Sequence, residues 1–151
     1  MRVGIATDHN GVEQKIELIY YINSLGYEVV DLSKENTPTD DYPTFAFSVA
    51  NEVVSKNIDF GILMCGTGIG MSIAANKIKG IRCAKVCTDE EAFLAKSHND
   101  ANVIALSSRL PIDEVKSMIK TFLETPFSFD ERHIRRITEI SELEGRIWLN
   151  Y

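Results

Sequence analysis

Asp59-Phe60-Gly61-Ile62-Leu63-Met64-Cys65-Gly66-Thr67-Gly68-Ile69-Gly70-Met71-Ser72-Ile73-Ala74-Ala75-Asn76-Lys77 carries the clearest signal in the chain. Asp59 to Met64 is a short apolar run that reads as a buried strand, and the small residues after Gly70 read as the first turns of a helix. Cys65 therefore stands at a strand-to-helix junction. Glycines 66, 68 and 70 let the backbone approach a ligand closely, and the unpaired N–H groups at a helix start favour an anion. The same N–H groups would stabilise a thiolate on Cys65. One stretch, Cys65 with Gly66, Thr67, Gly68, Ile69 and Gly70, can supply both a base and a cradle for a developing oxyanion. A tight structural turn with an inert cysteine fits the same spacing.

Outward from this turn, strand-like runs alternate with helical periods. Val3 to Ala6, Tyr27 to Asp31, Arg82 to Val86 and Asn102 to Leu106 read as further strands. Helical faces are predicted at Val12, Ile16, Ile19 and Tyr20; at Ala46, Val49, Ala50 and Val53; from about Glu90 to Lys96; at Val115, Ile119, Phe122 and Leu123; and at Ile134, Ile137, Ile140 and Leu143. The pattern predicts an α/β fold, a three-layer α/β/α sandwich around a five-stranded parallel Rossmann-like sheet. Residues 1–151 read as one domain with a C-terminal helix and tail from about 131, in which Trp148 and Tyr151 pack either on the domain or on a second subunit. Ligands of such sheets bind at the carboxyl ends of the strands. Those ends carry Asp8-His9-Asn10-Gly11, Cys65 to Gly70, Asp89 and Arg109.

With 151 residues, 44% of them hydrophobic, the chain can bury a real core. Its net charge of −6 argues against nucleic acid, so any phosphate must be held by a local basic cluster. No run approaches membrane length, and Met1 to Ala6 is too short an apolar stretch for a signal peptide, which makes a cytoplasmic protein the expectation. Cys65, Cys83 and Cys87 lack metal-ligand spacing and fit free thiols; Cys83 and Cys87 read as core residues.

The glycine turn does not satisfy the dinucleotide fingerprint, which needs a third glycine where Met71 stands, nor the phosphate loop, which needs Lys and Ser or Thr where Met71 and Ser72 stand. Asp89 keeps a degenerate nucleotide site open as an alternative. His98-Asn99-Asp100-Ala101-Asn102, between a helix and a strand, is either a cap and turn or the source of a proton-moving histidine. Arg132, Arg135 and Arg136, at helical spacing beside His133, form the densest positive cluster, either a solvated face paired with Asp130 and Glu131 or a phosphate site. Asp41-Tyr42-Pro43 reads as the entry to a helix with Pro43 in its first turn.

In order and spacing, Asp8-His9-Asn10-Gly11, Asp41-Tyr42-Pro43, Cys65 through Lys77, Gly80-Ile81-Arg82, His98 through Val103, Arg109, and Arg132-His133 with Arg136 resemble the type B ribose-5-phosphate isomerases and their galactose-6-phosphate isomerase relatives. The resemblance spans residue 1 to about 143 and implies a cofactor-free, metal-free aldose–ketose isomerisation of a phosphorylated sugar. By that resemblance His98 opens the sugar ring, Cys65 moves the proton between the first two carbons, Thr67 assists, and the backbone of Gly66, Gly68, Ile69 and Gly70 holds the oxyanion. His9, Arg132, His133 and Arg136 would hold the phosphate, with Asp8, Tyr42, Asn99 and Arg109 on the sugar or supporting the site. The family's sites lie between subunits, which implies a homodimer or tetramer with His98 supplied by the neighbour of the chain carrying Cys65, and no nucleic acid or membrane partner. The family often has two glycines where this chain has Asp130-Glu131, and a glycine where it has Ser107. Having the cysteine stretch and the His98 segment in one chain favours ribose 5-phosphate; hexose 6-phosphates such as allose or galactose 6-phosphate are the alternative substrates.

Overall fold

In the computed structural model the described residues are 1–145, so Trp148 and Tyr151 lie outside them. The alternation of apolar runs and helical periods resolves into β1 (Arg2–Thr7), α1 (Val12–Ser24), β2 (Glu28–Asp31), α2 (Tyr42–Val54), β3 (Phe60–Cys65), α3 (Ile69–Ala75), β4 (Cys83–Lys85), α4 (Asp89–Asn99), β5 (Val103–Ser107), α5 (Ile112–Glu124) and α6 (Glu131–Gly145). All five strands are parallel, in the order β2-β1-β3-β5-β4. Strands covered on both faces bury successive residues on opposite sides. Ile5, Ile62, Met64, Ile104 and Leu106 pack with α1, α4 and α5, whereas Ala6, Leu63, Cys65, Val103 and Ala105 pack with α2 and α3. The predicted α/β/α layering is therefore present. The chain leaves β1 toward β2 and leaves β3 toward the opposite edge, which puts the switch point between β1 and β3. Asp8 and Cys65 stand at the carboxyl ends of those two strands.

Four elements differ from the sequence expectation. On α1 the buried residues are Lys15, Leu18 and Ile22, while Ile16 and Tyr20 are 53% and 74% exposed. The helix is turned because Lys15 fills a core position: its ammonium donates to Asp31 Oδ1 (3.2 Å), Ser33 O (2.5 Å) and Ser33 Oγ (3.1 Å), which satisfies a buried charge. Helix α4 continues past Lys96, so His98 and Asn99 lie in its last turn rather than in a connecting segment. Thr88 caps its start by accepting from Glu91 N (3.1 Å), and Asp100 ends it in a left-handed conformation (φ 42°). On α6 His133 is the buried residue, and Ile134, Ile140 and Leu143 are exposed. Strand β4 is shorter than predicted, and α2 opens as expected with Tyr42-Pro43 in its first turn. Among the described residues no helix is long and apolar enough to cross a membrane.

Candidate active site

Cys65 closes β3, paired in register with Ser107 of β5. The chain then turns so that Gly68 N–H points back and donates to Cys65 Sγ at 3.1 Å. This turn requires φ +77° at Gly68, and a Cβ there would lie 3.0 Å from the backbone carbonyl of Leu106, so glycine alone fits. At Gly70 a Cβ would come within 2.5 Å of the Tyr42 ring, which lies flush against the start of α3. Thr67 Oγ1 accepts from Ile69 N (3.3 Å). Ser107 Oγ donates to Gly66 O (2.9 Å) and accepts from Arg109 N (3.2 Å), which fixes the turn and draws Arg109 to its mouth. Among the described residues the N–H groups of Gly66, Thr67 and Gly70 find no hydrogen-bond partner. Unspent donors beside a thiol are an arrangement that can stabilise negative charge developing on a bound oxygen.

The end of β1 supplies the facing wall. Asp8 N donates to Met64 O (3.2 Å), and the buried Asp8 carboxylate accepts from Asn10 N (2.9 Å) and Asn10 Nδ2 (3.1 Å). Asn10 and Arg109 both border Gly66, at 3.8 and 3.9 Å from where its Cβ would be. His9 is clamped by Asp40, whose Oδ1 lies 3.1 Å from His9 N and 2.7 Å from its ring Nδ1. That bond is the main cause holding the His9 pKa above the ordinary imidazole value, with a smaller contribution from the charge of Asp8.

The remaining expected site residues gather elsewhere. His98 stacks on His133, ring centres 4.2 Å apart, and His133 Nδ1 lies 2.8 Å from Ser128 Oγ. Burial, and then the neighbouring His98 and Arg132, press the His133 pKa below the ordinary value. Asn99, Arg132 and Arg136 share this end, where Arg132 lies 3.6 Å from Asp130 and all three are exposed. Helix α4 descends from the carboxyl end of β4 to the amino end of β5, so this cluster lies across the sheet from Cys65. The five residues of β5 alone separate the two ends by roughly 15 Å. Within one chain, His98 does not meet Cys65, nor do Arg132 and Arg136 meet His9.

Asp89, the possible ribose ligand of a nucleotide site, accepts instead from Ser117 Oγ (2.7 Å). Cys83 is buried and its thiol is pushed up to about 12 by desolvation, as suits a core residue; Cys87 is only half-buried, beside Lys85. Asp40 and Ser107 are site-building residues that sequence reasoning did not select. Ser107 carries a usable signal, a hydroxyl two residues before Arg109, whereas Asp40 gains its meaning only when the loop after β2 folds onto β1.

The model of the Ribose/Galactose Isomerase family matches residues 3–140. Ribose-5-phosphate isomerase B of Mycobacterium tuberculosis is 36% identical over 146 residues, 95% of this chain and 90% of the relative. Among solved structures, ribose-5-phosphate isomerase B of Clostridium thermocellum superposes with a TM-score of 0.92 at 40% identity, covering 96% of this chain and 98% of that one. The enzyme of the same name from Mycoplasma genitalium, solved with bound ribulose 5-phosphate, gives 0.91 at 40% identity, with 97% of each chain covered. A Cys65 turn at the switch point and a match along nearly the whole chain lead to one conclusion: this chain belongs to the ribose/galactose isomerase family.

Proposed function

We propose that the protein interconverts ribose 5-phosphate and ribulose 5-phosphate without metal or organic cofactor, in sites shared between two copies of the chain. The observation that carries this reading is the Cys65 turn, a thiol at the switch point with the unspent N–H groups of Gly66, Thr67 and Gly70 beside it. The 40% identical Mycoplasma genitalium relative with ribulose 5-phosphate bound supports the same substrate class.

The Cys65 thiolate takes the proton from C2 of the open-chain aldose. The C2–H electron pair becomes the C1–C2 double bond, and the carbonyl pair moves onto O1, where the backbone N–H groups hold it. O2 passes its proton to O1, with the Thr67 hydroxyl as carrier, and Cys65 returns its proton to C1 to leave the ketose. Before this, His98 of a second copy moves the proton from the C1 hydroxyl to the ring oxygen as the furanose opens. The placement of His98 and the arginines across the sheet from Cys65 is what calls for the second copy. Arg132 and Arg136 of that copy hold the phosphate together with His9, and His133 is the buried ring on which His98 rests. Asp8, Tyr42, Asn99 and Arg109 contact the sugar or brace the site.

The test is conversion of ribose 5-phosphate by purified protein in chelator, with Cys65→Ala alongside. Turnover should survive chelation and fall at least about a hundredfold in the variant. Equal activity in the variant would remove Cys65 from the chemistry. No turnover of ribose 5-phosphate, with turnover of allose or galactose 6-phosphate, would make the protein a hexose phosphate isomerase.

A further inference from the structure

Asp40 is an acceptor with every bond committed. Its side chain is 8% exposed, and Oδ1 takes both bonds from His9 while Oδ2 takes Asn36 Nδ2 (2.9 Å) and Thr37 N (3.3 Å). Asn36 also donates to Thr7 O (2.8 Å), so the loop after β2 is fastened to the end of β1. The His9 ring is 40% exposed and reaches beyond this anchor. A carboxylate only accepts, so the ring nitrogen facing it must carry hydrogen. The other nitrogen, Nε2, lies 3.3 Å from Asn10 Nδ2, which is itself donating to Asp8. His9 lines a cavity of about 480 Å³ together with Asn10, Gln14 and Ser108.

We infer that Asp40 is the positioning residue of His9: it engages the main-chain N–H and Nδ1–H of His9 so that Nε2 is the atom turned to the substrate phosphate. This inference rests on the isomerase reading for the identity of the anion. In the free site Nε2 accepts from Asn10. When Nε2 takes a proton it becomes a second donor, repelled by the Asn10 amide and released toward an anion. The charged groups around it are Asp40 and Asp8, Glu13 on the cavity wall and Arg109 beyond Asn10.

Imidazole ¹⁵N NMR tests this on the wild-type protein, whose three histidines keep the spectrum simple, with His9→Gln giving the assignment. Neutral His9 should be the Nδ1–H tautomer, and Asp40→Asn should lower its proton affinity at least about threefold. In turnover of ribose 5-phosphate, Asp40→Asn should raise KM severalfold with kcat nearly kept, and should add nothing in the His9→Gln background. An Nε2–H tautomer in the wild type would overturn the inference, as would an unchanged His9 titration in Asp40→Asn or additive losses in the double variant. The tautomer is read without turnover, so a protein inactive on ribose 5-phosphate refutes the substrate and leaves the Asp40–His9 result standing. It is also read without the variant, so a misfolded Asp40→Asn does not remove the test.

Discussion

Alanine at Gly68 and alanine at Gly66 should do opposite things to the same turn. Gly68 sits at φ +77°, and its Cβ would stand 3.0 Å from the Leu106 backbone, which cannot swing aside as a side chain can. The left-handed conformation costs an alanine about 1–2 kcal/mol, and forcing apart a packed strand and turn about 1–3 kcal/mol more. For a chain of this length each kcal/mol moves the melting temperature by about 2–4 °C, so Gly68→Ala should lower it by about 4–20 °C. Gly66 has ordinary space, with nothing closer than 3.8 Å to a new methyl group. Its stability should change by no more than about 1 kcal/mol. Yet that methyl would stand between the Asn10 amide and the Arg109 guanidinium, within the proposed sugar site, and kcat/KM should fall at least about tenfold through misplacement of the reacting carbons. Calorimetry and ribose 5-phosphate turnover on the same samples separate the two effects. A melting temperature for Gly68→Ala within about 2 °C of wild type would refute the packed left-handed turn. Full kcat/KM in Gly66→Ala would remove this turn from the reacting cleft.

Lys15→Met should cost about 3 kcal/mol, because it leaves Asp31 and the Ser33 carbonyl without their buried donor; urea denaturation should show a lower midpoint at unchanged slope, and an unchanged midpoint would contradict the buried pair. His133 is held below the ordinary imidazole value, chiefly by burial, so its contribution to stability is complete above pH 6.5 and is lost as the pH falls through the lowered folded value. Melting temperatures between pH 7.5 and 5 should therefore drop further in wild type than in His133→Gln, and equal drops would count against a buried neutral ring. With the Cys83 thiol pushed up to about 12, peptide mapping after alkylation at pH 8 should find Cys87 modified before Cys83; the reverse order would place Cys83 at the surface.

The sheet could be read from the chain because residues such as Ile62, Leu63 and Val103 to Leu106 are buried on both faces and form unbroken apolar runs. Helix α1 misled because its orientation depends on distant partners. Periodicity counts apolar side chains, and the position that turns this helix is Lys15, whose burial depends on Asp31 and Ser33 in a different part of the sequence. Helix α6 shows an amphipathic pattern, but Ile134, Ile140 and Leu143 face outward in the single chain, since the pattern records that a face is apolar and not what covers it. The Cys65 turn was visible because its glycines answer to backbone geometry within a few residues. Asp40 was not, because its partner His9 lies 31 positions away.

The proposed mechanism, with Cys65 and His98 at opposite ends of the sheet, requires a site made by two chains, and a heterodimer tests it most directly. Cys65→Ala and His98→Asn chains, each inactive alone, would be co-expressed with different tags and the doubly tagged species purified. If the site is shared, one of its two sites combines wild-type Cys65 with wild-type His98, and about half the wild-type turnover of ribose 5-phosphate returns. If each chain holds a whole site, both sites carry a lesion and no activity returns, which would contradict the shared site.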